Sequence, residues 1–517
     1  MGYWSSKNQI SMKQNLFFPL FSGLVIFIEY LVIPVTGDSH LTPFNPIENI
    51  TINCGSSTNG QARDGRPWTG EGYGKFSPII DQQNKSSVSS TAPQPLPPDV
   101  NDVPFSTARL SHSEFTYSIP LTAGPKLVRF HFYPTSYQGF DDPSSTKAFF
   151  SVKAGHYTLL GNFSALLHAQ GQPTLTKEFC LNVDETKRLN LTFTPSPDIL
   201  DSYAFINGIE IVSMPLDLYY NSPANGTGGN FLGNDTALEK LYRVNVGGRQ
   251  ITGVEDTGMF RYWENDDVYL TIPESVIPVN TSIDLNFSKI PSYSAPSAVY
   301  KTARSMSTYK NTNENYYFTW EFPVGLGFKH FLRLHFCEFQ VEITAKGDRV
   351  FMISLDYQTV ETEADVIAWS GGRGIPVYRD YMVTIRAKGN LINQQNLSIA
   401  LYTAPESKTM YSDTILNGIE IFKISDDSLN LAGPNPDPIP IEDMRPPIGE
   451  SVAINCLAAE GSKRPAMSEV VCGLELSLQL QEINEVNPSD ESHVNDSTVN
   501  DYHVLFTSGS GSMNVGR

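Results

Sequence analysis

Carboxylates and histidines are where chemistry would begin in this 517-residue chain. Glu210, Glu420, Asp141 and Asp142 stand out among the acids, and His131 and His335 lie within apolar runs. Two carboxylates flanking a sugar linkage can hydrolyse it, one as acid and the other as base or nucleophile. Glu210 and Glu420, however, occupy the same place in a repeated pentapeptide, Asn-Gly-Ile-Glu-Ile, at 207–211 and 417–421. Recurrence in both copies, in a turn-and-strand context, assigns them a structural role. His131 and His335 recur in the same manner and read as solvated or hydrogen-bonded side chains. No Ser/His/Asp or Cys/His grouping is legible, and no Cys-x-x-Cys or Cys/His cluster has zinc spacing. No catalytic residue, metal site or cofactor is therefore expected.

Recognition of sugars needs aromatic faces beside hydrogen-bonding groups in a concave surface. Two segments offer that combination. RDGRPWTGEGY at 63–73 supplies Arg63, Arg66, Trp68 and Tyr73, and YPTSYQGFDD at 133–142 supplies Tyr133, Tyr137, Phe140 and Asp141. The aromatics would stack on pyranose faces, while Asp141, Arg63 and Arg66 read hydroxyls or carboxylates. The competing reading is that these rings seal the edge of a β-sandwich.

The elements that must position these groups are duplicated. LVRFHFYP at 127–134 returns as FLRLHFCE at 331–338, the sequon Asn190-Leu191-Thr192 as Asn396-Leu397-Ser398, and NGIEI as NGIEI. The offsets are 204, 206 and 210 positions, in the same order. Three ordered matches at near-constant spacing indicate two copies of one module. Val128, Phe130 and Phe132 alternate with Arg129 and His131; Leu332, Leu334 and Phe336 alternate with Arg333 and His335. Leu189, Leu191 and Phe193 alternate with Asn190, as Leu397, Ile399 and Leu401 do with Asn396. Period-two patterning predicts sheets with one face on a core and the other in water. The sequons, Arg129, His131, Arg333 and His335 are then placed on the wet faces, and Asn207-Gly208 and Asn417-Gly418 in tight turns needing positive φ. The fold class predicted is all-β, two tandem β-sandwiches of jelly-roll type. The chain divides into a signal peptide (1–37), a first module (38–220), a linker (221–237), a second module (238–428) and a Pro-rich linker (429–451). A short helical segment (452–486) and a disordered acidic tail (487–517) complete it.

These residues carry a resemblance. INCGSS at 52–57, LVRFHFYP, LHFCEF at 334–339, the two NGIEI segments and LAGPNPDP at 431–438 resemble the malectin-like ectodomains of FERONIA/THESEUS-type plant receptor-like kinases. The resemblance implies two malectin-like β-sandwiches at the cell wall. It further implies pectin-like wall polysaccharide and basic rapid-alkalinisation peptides, presented with a lipid-anchored co-receptor, as ligands. Residues 452–482 resemble only the last helices of such a kinase, and the Gly-rich loop, VAIK-like lysine, HRD and DFG motifs are missing from the sequence, so no ATP binding or kinase activity is expected. The reading is an extracellular recognition module. Its alternative is a fragment or splice form of a full-length membrane receptor kinase.

Export fits the N-terminus and the sequons. Lys7 and Lys13 precede an apolar run from Leu16 to Ile33, and Val35-Thr36-Gly37 supplies small residues for cleavage. Nine sequons lie between residues 38 and 433, at Asn49, Asn84, Asn162, Asn190, Asn225, Asn234, Asn280, Asn286 and Asn396, and a tenth at Asn495. A secreted, apoplastic or cell-surface location follows. The five cysteines (Cys54, Cys180, Cys337, Cys456 and Cys472) form no small-domain framework. Both a Cys54–Cys180 bridge and buried free thiols fit them. The formal charge of −19 disfavours nucleic acid as a partner and suits a basic peptide. It repels pectin, which would need a local basic patch such as Arg63 and Arg66, or bridging calcium.

Overall fold

The computed structural model describes residues 43–438, apart from 73–75, 81–86, 141, 143–144, 221–231, 272–275, 307–316 and 386–393. The expected signal peptide, the kinase-like segment, the acidic tail, Cys456, Cys472, Tyr73, Asp141, Asn84, Asn225, Asn495 and most of the 221–237 linker lie outside the described residues.

Alternating residues fold into strands in both modules. In the first, Gly124–Phe132 runs antiparallel between Leu175–Val183 and Gly208–Ser213, and Gly208–Ser213 pairs onward with Asn49–Asn53. A second sheet faces it, ordered Tyr157–Ser164, Phe149–Ala154, Arg188–Pro195, Phe115–Pro120, Ile79–Ile80. Val128, Phe130 and Phe132 fill the layer between, where Phe130 meets Phe193 and Phe132 meets Phe150. In the second module Lys329–Phe336 lies between Val377–Thr384 and Gly418–Ile424, which pairs with Leu238–Asn245. The facing sheet is Tyr317–Gly325, Gln394–Thr403, Phe351–Leu355, Gln358–Ala364. Leu332, Leu334 and Phe336 pack there with Trp320, Leu397 and Ile399. Each apolar face buries where the alternation places it.

The two large sheets join. Phe179 lies opposite Glu239 and Cys180 opposite Leu238, so Leu175–Val183 of the first module and Leu238–Asn245 of the second are neighbours in one eleven-stranded sheet. Around this seam Leu127, Cys180, Val212, Tyr219, Phe331 and Phe422 form a shared apolar cluster.

Three expectations are corrected by this architecture. The Asn-Gly pairs are not hairpin turns, and neither glycine has positive φ. Ala204–Ile206, paired with Thr107–Ser111, runs directly into Gly208–Ser213 of the large sheet, so Asn207 marks a corner where the strand changes sheets. Asn417 does the same between Ile415–Leu416 and Gly418–Ile424. Backbone groups stranded at such a corner need partners. Asn207 donates to Thr107 O and accepts from Tyr133 N, both at 2.8 Å. Asn417 donates to Thr302 O (2.8 Å) and accepts from Cys337 N (2.7 Å). Glycine follows because a Cβ would sit 2.8 Å from Trp68 at position 208 and 2.7 Å from Val299 at position 418.

Second, the outer face bearing Arg129, His131, Arg333 and His335 is covered rather than wet. Leu218, Tyr219, Met259, Trp263 and Tyr300 cover it, with Met259 O accepting from Arg129 (2.9 Å) and Leu218 O from Arg333 (2.6 Å). Third, the start of the presumed 429–451 linker is docked on the first module. Leu429 O accepts from Thr158 N (3.1 Å), Leu431 N donates to Thr158 O (2.8 Å), and Asn435 bridges Ser164 N (2.9 Å) and Asn162 O (2.7 Å). Leu431 is fully buried in the first module's core. Of the two readings open for the cysteines, the structure takes the second: Cys54, Cys180 and Cys337 are buried free thiols. Cys54 sits in the first core and Cys180 in the seam cluster, so the Cys54–Cys180 bridge is not formed. The sequon asparagines within the described residues, Asn49, Asn162, Asn190, Asn234, Asn280, Asn286 and Asn396, are all exposed, as expected.

Candidate functional site

The sequence-predicted sugar platform is packed inward. Trp68 is 2% exposed and meets the His131 ring edge-on at 5.5 Å. Tyr137 is buried, donating to Tyr133 O and accepting from Asn207, both at 2.8 Å. Phe140 stacks on His112 at 5.0 Å and touches Tyr203 at 4.9 Å. Arg66 is engaged by Asp64 and Glu210, both at 2.6 Å, and lies over the Phe260 ring. Arg63 is exposed, its guanidinium bonded to Pro98 O (2.8 Å) and Val100 O (3.2 Å). Tyr133 is half-buried. Trp68, Tyr137 and Phe140 therefore seal the sandwich edge rather than offer a stacking face. Among the described candidates Arg63 is exposed, and Tyr133 and Arg66 are each partly exposed. Asp142 is a loop organiser, accepting from the amides of Thr146 (2.8 Å) and Lys147 (2.6 Å).

Glu210 is the hub of a buried charge cluster. It accepts from Arg66 (2.6 Å), His131 (2.8 Å) and Arg129 (3.3 Å). Burial alone would raise its pKa, but the His131 bond and the Arg129 and Arg66 charges overcome this and hold it well below the usual range. The cluster continues across the seam. Arg129 donates to Glu178 (2.5 Å), Glu178 accepts from Arg243 (2.8 Å), and Arg243 donates to Glu420 (2.8 Å). Glu178 is taken to about 2, because Arg243 and Arg129 outweigh the effect of burial. Glu420 also accepts from Tyr219 (2.6 Å) and His335 (3.1 Å), and burial keeps the His335 pKa low. Glu210 and Glu420 are thus structural hubs of two linked clusters.

The duplication extends to two further tripeptides whose recurrence the repeat matches above do not include. Arg66-Pro67-Trp68 matches Arg261-Tyr262-Trp263, and Thr107-Ala108-Arg109 matches Thr302-Ala303-Arg304, each at an offset of 195. Trp263 meets His335 edge-on at 5.6 Å, as Trp68 meets His131. Arg109 pairs with Glu71 and Arg304 with Asp266. Gly55 and Gly247, at φ +76 and +67, pass so close to Ala108 O and Ala303 O that a Cβ would lie 2.1 Å away. Arg-x-Trp and Thr-Ala-Arg were the signals available for these positions.

A different surface is concave. A cleft of about 310 Å3 opens beside the seam, walled by Leu160, Phe163 and Leu175 of the first module and Tyr242, Val324 and Phe328 of the second. The docked segment 431–436 forms one side. Lys177 and Lys423 both reach Glu239 within it, Lys177 at 2.9 Å. None of the sequence-predicted site residues lines this cleft. Among the described residues no group of three His, Cys, Asp or Glu side chains could hold a metal ion. No helix among them is long and apolar enough to cross a membrane.

The malectin-like domain model matches residues 52–424. Receptor-like protein kinase FERONIA of Arabidopsis thaliana is 43% identical over 410 residues, covering 77% of this chain and 44% of FERONIA. A crystal structure of the plant peptide RALF23 in complex with FER and LLG2 contains a chain 41% identical to this one. It covers 76% of this chain and 99% of its own length, with a TM-score of 0.68. The ANXUR2 extracellular domain from Arabidopsis thaliana matches at 33% identity and a TM-score of 0.69, covering 76% of this chain and 100% of that one. The chain spans about half the length of the curated relatives it matches. With its corner asparagines, buried charge hubs and twin sandwiches accounted for, the chain belongs to the malectin-like family and is homologous to the ectodomains of the FERONIA and ANXUR receptor-like kinases.

Proposed function

We propose that this chain is a peptide-recognising receptor ectodomain of the plant cell surface or apoplast, engaging a basic rapid-alkalinisation peptide together with a lipid-anchored co-receptor. The observation that carries this reading is the similarity, over nearly all of that chain, to FER in its complex with RALF23 and LLG2. The charge of −19 adds physical support, because an acidic field accelerates capture of a basic ligand and makes the encounter salt-dependent. The matched region is non-catalytic, and recognition without a kinase of its own is part of the proposal. The alternative, in which the same ectodomain belongs to a full-length membrane receptor kinase, leaves the recognition role unchanged. Sequencing the transcript across residues 440–455 separates the two. Pectin-like polysaccharide is the less favoured ligand, since most of the described aromatic candidates are packed inside the fold.

The test is to titrate the glycosylated protein with an alkalinisation peptide, with and without the co-receptor, and with oligogalacturonides, over a salt series. Peptide affinity is expected to rise with the co-receptor and fall with salt. Oligogalacturonide binding with no peptide response under any condition overturns the proposal.

A further inference from the structure

The cleft beside the seam has an excess of positive charge in a chain that is strongly acidic overall. Lys177 and Lys423 converge on the single carboxylate of Glu239, and both ammonium groups are largely buried. An ammonium has three N–H donors. Glu239 is the one acceptor each meets among the described residues, so donors remain on both. His168, also lining the cleft, adds no negative charge, and burial and Lys177 take its pKa to about 3, leaving it neutral. Lys240, the third lysine on the wall, pairs with Glu264 at 3.9 Å, so one positive charge of the Lys177–Glu239–Lys423 group is unmatched in a partly desolvated recess. Such burial is costly unless a counter-charge arrives.

Much of the remaining wall is apolar, broken by Thr176, Gln394 and Asn435. Phe163, Leu175, Val324, Phe328 and Pro434 face the space, and Lys423 sits 4.9 Å over the Phe328 ring. The neutral polar groups nearby are largely committed. Tyr242 donates to Pro323 O (2.6 Å), and the Asn435 side chain bridges Ser164 and Asn162. A hydroxyl-rich sugar acid would find few partners here. At about 310 Å3 the cleft lies at the small end of the roughly 300–1,000 Å3 range of ligand sites.

We propose that this cleft binds a small amphiphilic carboxylate, its head on Lys177 and Lys423 and its apolar body along Phe163, Val324 and Phe328. The ligand would rest against residues 431–436, which carry the chain out of the second module.

The probe is sodium octanoate, titrated calorimetrically into the folded chain, with octanol and galacturonic acid as comparison ligands. Saturable one-site octanoate binding is expected, with octanol and galacturonic acid each at least tenfold weaker. Lys177→Met and Lys423→Met each remove the unmatched charge and are expected to weaken octanoate at least tenfold. Gly433→Leu tests the location with both lysines intact. A Cβ there meets Phe328 and Lys423 only at ordinary contact distances of 3.8 and 3.9 Å, so the side chain grows into the cleft without straining the backbone. It is expected to abolish binding, whereas the exposed Lys329→Met is expected to leave it unchanged. Circular dichroism and thermal melts establish that each variant folds, and Gly433→Leu decides the matter where a lysine variant does not. No octanoate binding, equal binding of octanol, tighter binding of galacturonic acid, or binding that survives Gly433→Leu overturns the proposal.

Discussion

In the first module Glu210 gathers Arg66, Arg129 and His131, and His131 reaches onward to the exposed Thr176 at 3.0 Å. In the second, Glu420 gathers Arg243, His335 and Tyr219, and both Glu420 and His335 have no exposed side-chain surface. Corner asparagine, edge-on tryptophan and crossing glycine are the same in both. What differs is the cover. Tyr219 and Tyr300 close over the second hub, Tyr300 bonding His335 at 2.8 Å, whereas the first keeps Arg66 at its rim beside exposed Asp64. A duplicated scaffold thus tolerates different degrees of sealing, because the cross-strand charges around the hub recur in both copies.

The equivalence of the crossings predicts the largest effect. Gly55→Ala and Gly247→Ala each force a Cβ against a carbonyl at positive φ, and each is expected to cost more than about 4 kcal/mol or prevent folding. A melt indistinguishable from the parent's in one module alone would break the equivalence. The difference in sealing comes next. Glu420→Gln removes the negative charge beside the fully buried Arg243 while keeping one accepting oxygen, and is expected to cost about 3–5 kcal/mol. Glu210→Gln leaves Arg66 with Asp64 and Arg129 with Glu178, and is expected to cost about 1–3 kcal/mol. Equal losses in urea unfolding would refute the role of the cover.

Leu431→Ala probes how far the modules depend on each other. Removing a fully buried leucine costs about 2–5 kcal/mol. Amide exchange should rise first at Thr158 in the first module; a rise confined to Gly418–Ile424 would mean that the segment belongs energetically to the second.

A smaller contrast concerns pH. His330 is the counterpart of Lys126, but Lys126 has Glu48 while both ring nitrogens of His330 lack partners among the described residues. Burial, then the Lys423 charge, take its pKa to about 4. The folded state keeps His330 neutral, and the unfolded chain takes up its proton below about 6.5. This contribution is therefore whole above pH 6.5 and declines as pH falls to about 4, by up to about 1.4 kcal/mol per pH unit. His330→Phe should flatten stability in that window, and an unchanged slope would assign it elsewhere. Asn190→Gln and Asn396→Gln, exposed at matching positions, should each change the unglycosylated protein by less than about 0.5 kcal/mol.

Much of this was legible. Val128, Leu191, Leu334 and Ile399 bury where period two puts them, and the sequons face outward. The opposite face was misread because Arg129, Glu178 and Glu210, or Arg243, Arg333 and Glu420, look like solvent-facing residues one strand at a time. Only strand register reveals them as opposed charges: Arg129 lies across from both Glu178 and Glu210, and Glu420 across from Arg243 and Arg333. Trp68, Tyr137 and Phe140 were open to two readings, and Asn207, which fixes Tyr137, decided for the edge seal. The cleft was not legible, since Lys177, Glu239 and Lys423 meet only after the seam forms. Leu431 was hidden in a proline-rich stretch whose partner, Thr158, lies far earlier in the chain.

The two ends of the described chain are exchanged between modules. Phe44 N donates to Thr257 O (2.8 Å) and its ring meets Tyr293, so the N-terminal end is fastened to the second module, while Leu431 fastens the C-terminal end to the first. A mechanical pull entering beyond residue 438 would therefore be borne first by Thr158 and the first core. The last strand of the second module, Gly418–Ile424, would carry load only after Leu431 had been drawn out.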